Sequence, residues 1–264
     1  MGKVRIKMNA IYDHFPDYHP VDGLSYIDCY SDHKMSEAVK GDKTIAMLFE
    51  PRSMLGEAYD FVEAHSDYFR LIFTHDSKLL KLPQSRFLNW AYVWHTSDSE
   101  KTKSISLITS PKDWCPLHKA RLELARYFEP TPFVDVFRGG WNEGETNYSP
   151  QEYLEHYTHS IVIENDIDEF WYTEKILNCF ANKVVPIYVG ATRIGEIFNA
   201  GGILQVDDWR DIPKIVEDLD TVEDYVGRLE AINDNFERVK PYTIGWQERF
   251  FKDYGDILEA LQDE

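Results

Sequence analysis

The sequence is short of cysteine, of basic charge and of long apolar runs, and each shortage removes a class of protein. Its three cysteines, Cys29, Cys115 and Cys179, stand far apart and form no CxxC pair. Neither a disulfide framework nor a zinc ribbon is encoded. Lysine and arginine total 28 against 46 aspartates and glutamates, for a formal net charge of −18. No Lys/Arg run supplies the basic patch of a nucleic-acid surface, and an acidic chain has no general attraction to anionic lipid. No stretch approaches the roughly 20 apolar residues of a membrane span, and no early apolar run resembles a signal peptide. The chain therefore reads as cytoplasmic. GxSxG, Walker-loop, GxGxxG and HExxH motifs are also missing. If an anion is bound, a few placed cations must hold it against an unfavourable overall field.

What is present suits a packed α/β protein. The chain has 264 residues, 43% of them apolar and 14% aromatic, enough for one large domain or two small ones. Short apolar runs at 4–9, 24–30, 44–49, 69–73 and 90–94 predict strands, with a helix at 58–65. The run TIAMLF at 44–49 suits a buried parallel strand. The polar stretch TSDSEKTKS at 96–104 predicts an interdomain linker, dividing the chain into 1–100 and 101–264. Beyond it, the pattern predicts a strand at 105–109, a helix at 117–128 and a strand at 133–137. Apolar residues at helical spacing over 222–239 and 246–261 predict C-terminal helices, assigned to the second half.

The most informative stretch is 159–209, HSIVIENDIDEFWYTEKILNCFANKVVPIYVGATRIGEIFNAGGILQVDDW. It reads strand, loop, helix, strand, loop, helix, strand. Its polar residues collect after the first strand and at the start of the first helix, where open α/β sheets bind ligands. A helix N-terminus offers free N–H groups and a positive dipole end to an anion. Thr173 suits the N-cap. Lys175 sits where the dipole disfavours it, so either Glu174 offsets it or an anion lies beside it. Glu174 either complements the dipole or accepts two sugar hydroxyls. Glu164 and Asn165 end an apolar strand, as solvated loop residues or as ligand contacts. Arg121 lies on the 117–128 helix, where a solvated face is the plain alternative. Glu50 follows TIAMLF and precedes Pro51; it is either a turn carboxylate or a general base held at a sheet edge. Candidate metal pairs, His156 with His159 and Asp207 with Asp208, lack a third ligand or point apart on a strand, and no metal is expected.

Taken together, these residues resemble the alpha-1,3/1,4-fucosyltransferases of glycosyltransferase family 10. The family's pattern has an apolar strand, E-N, an aromatic, T-E-K opening a helix, then V-P-[IV]-x-x-G and V-D-D-[FW]. In this chain those are Ile161 to Asn165, Trp171 to Lys175, Val185 to Gly190 and Val206 to Trp209. Two shorter matches lie upstream: Ser110, Arg121 and Val134 to Phe137, and Phe49-Glu50-Pro51 for the family's F-E-S-P. The resemblance implies a GT-B fold of two Rossmann-like domains facing across a cleft. It implies inverting transfer, with an alpha-1,3 linkage, from GDP-fucose held by the second half to a glycan acceptor held mainly by the first. Carried onto this sequence, Arg121 and Lys175 bind the donor diphosphate and Glu174 the ribose hydroxyls. Asn165, Trp171 and Tyr172 line the diphosphate and fucose pocket, and Glu50 is the general base. No metal or other cofactor is implied. The chain departs from the pattern at Trp171, usually tyrosine, at Tyr172, usually small and aliphatic, and at Pro111, usually asparagine. Its first half is also short. A GT-B enzyme with another nucleotide-sugar donor and a non-catalytic nucleotide-sugar binder are the alternatives.

Overall fold

The computed structural model describes residues 4–140 and 146–264. It divides into two compact units: Met1–Trp90 with Gly245–Glu264, and Ala91–Ile244.

The first unit is built on five parallel strands in chain order: β1 (Ile6–Asn9), β2 (Ile27–Ser31), β3 (Thr44–Met47), β4 (Leu71–Thr74) and β5 (Ser85–Phe87). Side chains alternate across a strand, so the apolar run of β3 feeds two cores. Ile45 and Met47 join Ile6, Ile27, Phe73 and Phe15 on one face. Ala46 and Leu48 join Tyr59 and Val62 of α1 (Arg52–Ala64) on the other. A sheet buried on both faces needs apolar residues at every position, which TIAMLF supplies.

The C-terminal helix, Trp246–Asp263, was expected with the second half but packs in the first unit. Its Trp246, Phe250, Leu258 and Leu261 complete the core around Phe15. Phe15 meets the Phe250 ring at 5.5 Å, and the Gln262 side chain accepts the Arg5 N–H at 2.6 Å. Helical spacing fixes which face of a helix is apolar, not which sheet receives it.

The second unit also holds five parallel strands, with a different order. Along the chain it runs β6 (Lys103–Thr109), α2 (Pro116–Phe128), β7 (Asp135–Arg138), α3 (Pro150–Leu154), β8 (Tyr157–Ile163), α4 (Glu174–Ala181), β9 (Val185–Val189) and β10 (Leu204–Gln205). Helices α5 (Ile212–Asp218), α6 (Thr221–Gly227) and α7 (Leu229–Arg238) follow. The strand order is β10-β9-β8-β6-β7. From β6 the chain steps outward to β7, then returns to place β8 on the other side of β6. The connections part at that point, and the crevice outside the β6 and β8 carboxyl ends is a topological switch point. All seven residues of β8 are buried, as its central place requires. Its polar members are paired inside the sheet: Ser160 accepts from Ser106 at 3.0 Å, and His159 meets Asp224 of α6 at 3.0 Å.

Three local expectations change. Residues 91–94 alternate buried and exposed as a strand would, yet no sheet takes them; the Val93 N–H donates to the Tyr242 carbonyl at 2.8 Å. The strand of that region is β5 instead. Between β9 and β10 the expected helix is two 3-10 turns, Ile194–Glu196 and Ala200–Gly202; glycines at 195, 201 and 202 weaken a longer helix. The polar run 96–104, expected as an interdomain linker, lies within the second unit and is tied down there. Ser99 donates to Glu155 at 2.6 Å, and Lys101 donates to the Glu155 carbonyl at 2.7 Å. Among the described residues, no helix is long and apolar enough to cross a membrane.

Candidate functional site

At the switch point of the second unit, the exit of β8 meets the starts of α2 and α4. Glu164, the first residue beyond β8, is fully buried. Its carboxylate accepts the Thr173 N–H at 2.9 Å and the Thr173 hydroxyl at 2.8 Å. Lys175 Nζ donates to the same carboxylate at 3.1 Å. Thr173 caps α4, its hydroxyl accepting the Lys175 N–H at 3.4 Å. Glu164 is therefore a strut that fixes the start of α4. It also accounts for a lysine in the first helical turn, a position the helix dipole disfavours: the offsetting anion is the protein's own. Glu174 lies 3.8 Å from Lys175, and both side chains are partly exposed.

The strut explains the glycine of VPIYVG. A Cβ at Gly190 would lie 2.4 Å from the Tyr188 hydroxyl and 2.6 Å from Glu164 Cγ. Only a residue without a side chain lets β9 run out beside the buried carboxylate. The Tyr188 hydroxyl accepts the Ala191 N–H at 3.0 Å, and burial with Glu164 nearby raises its pKa well above that of an ordinary tyrosine.

Asn165 gathers the rest of the site. Its Oδ1 accepts from Arg121 Nη2 at 2.8 Å and lies 3.1 Å from His118 Nε2. Its carbonyl accepts from the Cys115 thiol at 3.3 Å. With Oδ1 as acceptor, the network assigns the His118 proton to Nε2. Burial, then the Arg121 charge, push the imidazole down to about 4. His118 is thus neutral at physiological pH and adds no charge. Its Nδ1 has no partner among the described residues.

Arg121 is 9% exposed. Burial lowers its pKa, opposed by the more distant Glu164. Among the described residues, its Nε has no hydrogen-bond partner and no carboxylate pairs with it. An unpaired buried guanidinium is costly, and an anion at the crevice would remove that cost.

Of the residues singled out from the sequence, the fold brings Arg121, Asn165, Glu174 and Lys175 to this one crevice. Trp171 and Tyr172 precede α4 but are each 2% exposed. Tyr172 pairs with the Tyr242 hydroxyl at 2.8 Å, and its ring packs edge-on against Phe198 at 6.0 Å. Both rings are buried in the core. Glu50 lies in the first unit, between β3 and α1. The Tyr59 hydroxyl of α1 donates to its carbonyl at 2.6 Å. The candidate metal pairs separate: His156 meets the Glu100 carbonyl at 3.1 Å, His159 is inside the sheet, and Asp208 pairs with Arg210 at 3.0 Å.

Sequence reasoning missed His118, Cys115 and the strut role of Glu164. One signal was available: His118 precedes Arg121 by three positions on a helix, so both share a face.

Two Rossmann-like α/β units, the second with Arg121 and Lys175 at its switch point, are the parts of a GT-B fold. Residues 98–249 match the model of glycosyltransferase family 10 (fucosyltransferase), C-terminal part, which is more than half of the chain. The chain belongs to that family and is a glycosyltransferase. No curated protein matches it significantly. Among solved structures, an α1,3-fucosyltransferase crystallised with GDP is 15% identical, with a TM-score of 0.54 over 91% of this chain and 80% of that chain. Another α1,3-fucosyltransferase structure is 12% identical, with a TM-score of 0.50 over 89% and 78%. TarM is 12% identical, with a TM-score of 0.52 over 88% and 54%. At these identities the likeness is one of fold.

Proposed function

We propose that the protein is an inverting fucosyltransferase that moves fucose from GDP-fucose to a glycan hydroxyl, with an alpha-1,3 linkage. Family membership supports a fucosyl donor, and the similar α1,3-fucosyltransferase crystallised with GDP supports a guanine nucleotide. The observation that carries the reading is Arg121, a buried guanidinium with no ion pair among the described residues at the switch point of the second sheet.

In this reading the second unit holds the donor and the first unit the acceptor. Arg121 and Lys175 take the diphosphate, Asn165 keeps Arg121 in place, and Glu174 accepts the ribose hydroxyls. Trp171 and Tyr172 back the fucose pocket from the core. Glu50 removes the proton from the acceptor hydroxyl as its oxygen attacks the anomeric carbon of fucose. The bond from that carbon to the GDP oxygen breaks, and the electron pair leaves on the diphosphate. Cations fixed before the reaction stabilise that charge without reorganisation, and a positioned base contributes typically about 10²–10⁴-fold.

The test is a donor panel. Labelled GDP-fucose, UDP-sugars and CMP-sugars are offered with N-acetyllactosamine-type and simpler glycans, and the product is examined by NMR. The expected result is transfer from GDP-fucose alone, with anomeric configuration opposite to the donor's. Faster transfer from another nucleotide sugar replaces the donor. Binding of GDP-fucose without transfer or hydrolysis across the panel makes the protein a non-catalytic binder.

A further inference from the structure

The first unit holds a carboxylate that the reading above does not use. Asp32 follows β2 with φ of 44°, in the left-handed region that side-chain-bearing residues rarely occupy. Such conformations persist where surrounding contacts hold them, often at functional sites. The contacts that hold Asp32 lead to Glu50. Asp32 Oδ1 accepts the Phe49 N–H at 2.9 Å and, more weakly, the Glu50 N–H at 3.5 Å. One peptide further on, the Tyr59 hydroxyl holds the Glu50 carbonyl. The exit of β3 is gripped from both directions.

A cavity of about 290 Å³ lies beside Asp32, lined also by His33, Ser36, Leu55, Gly56 and Glu57. Helix α1 leaves helical geometry at this wall, with Leu55 at φ −134°, ψ 48°. The titratable groups around Asp32 are Glu50 at the β3 exit, Glu57 on α1, His33 on its own turn and the buried Cys29 thiol of β2. No lysine or arginine lines the cavity. Burial, together with the Glu50 charge, pushes the Asp32 carboxyl up to about 7.

We propose that Asp32 is a positioning residue for the base: it clamps the strand exit that carries Glu50 and sets the proton affinity of that carboxylate. The proposal rests on the reading of Glu50 as the base. Protonated Asp32 places no charge beside Glu50. Ionised Asp32 adds a second negative charge beside it, which strengthens Glu50 as a proton acceptor. Turnover of the wild-type protein should therefore rise as pH passes through about 7.

Two substitutions separate the clamp from the charge. Asp32→Asn keeps an oxygen acceptor and a residue type that tolerates positive φ, and should lose the rise of kcat across pH 7. Asp32→Gly tolerates the same backbone but removes the clamp, and should lower kcat at least about tenfold with the donor KM unchanged, as displacement of a reacting group does. Thermal melting and GDP titration of both variants check that the fold and donor site persist. A wild-type pH profile in Asp32→Asn, or wild-type kcat in Asp32→Gly, overturns the proposal. Glu50→Gln keeps the two failures apart: if that variant turns over normally, the base assignment falls; if it is inactive while Asp32→Asn keeps the wild-type profile, only the role of Asp32 falls.

Discussion

The two units share an architecture of five parallel strands, yet they present opposite chemistry. The first sheet runs β1 to β5 in chain order. It never reverses, has no switch point, and gathers carboxylates, Asp32 and Glu50, at the exits of β2 and β3. The second sheet reverses between β6 and β8, and the crevice it opens collects Arg121, Lys175 and the start of α4. Topology puts Arg121 and Lys175 at the switch point of one unit and carboxylates at the strand exits of the other. A glycosyl transfer needs both, a base for the incoming hydroxyl and cations for the leaving diphosphate. In the proposed function each role falls to a different sheet, and substitutions can break that division.

The largest effect is expected in the first unit. Glu50→Gln should lower kcat about 10³-fold, or about 4 kcal/mol of barrier, while calorimetry shows GDP bound as in wild type. Loss of GDP affinity instead would mean that the division between the sheets is wrong. In the second unit, Arg121→Ala should weaken GDP binding and slow transfer together, by about 100-fold or about 3 kcal/mol, as loss of one preorganised donor does. Unchanged GDP affinity would remove Arg121 from the donor site.

Gly190→Ala tests the scaffold beneath the cations. The added methyl meets the Tyr188 hydroxyl and Glu164, both buried. Overpacking of this kind costs about 1–3 kcal/mol, seen as a fall in Tm, and any shift of Glu164 carries Lys175 with it. A variant that melts and binds GDP like wild type would show that the strut is not rigid.

Much of the second unit was legible in the sequence because its signals are local. The strand–E-N–T-E-K order fixes a strand exit and a capped helix within about a dozen residues, and both stand where the pattern put them. Arg121 was a solvated-face residue by pattern alone; its burial depends on Asn165, 44 positions away. The same limit hid Glu164, whose polar position suggested solvent, whereas its partners Thr173 and Lys175 fold over it. In the first unit β1 to β4 were legible from their apolar runs, whereas the short, mixed β5 was not. Asp32 was not, since an aspartate after a strand is ordinary until its φ and its bond to Phe49 are known. The C-terminal helix showed its apolar face but not its destination, because Phe15, its main partner, lies in a loop without periodic signal.

The smallest expected effect concerns His118, and it bears on whether the crevice owes its charge to arginine and lysine alone. His118→Ala removes one of the hydrogen bonds that hold Asn165, worth about 1 kcal/mol, so GDP affinity should fall only severalfold at neutral pH. The imidazole is held down to about 4, so it is neutral at both pH 6 and pH 8, and the ratio of wild-type to variant affinity should be the same at the two. The sign for stability follows. A histidine whose folded pKa is depressed leaves the native state unpenalised above its ordinary value of 6.5, and costs it progressively as pH falls from there through about 4. Melting curves of wild type and variant should therefore draw together below pH 6, as protonation takes from the wild type what the hydrogen bond gave it. If the affinity ratio instead grows between pH 8 and pH 6, His118 is charged in the folded protein, and the crevice has a third cation that its neutral partner Asn165 conceals.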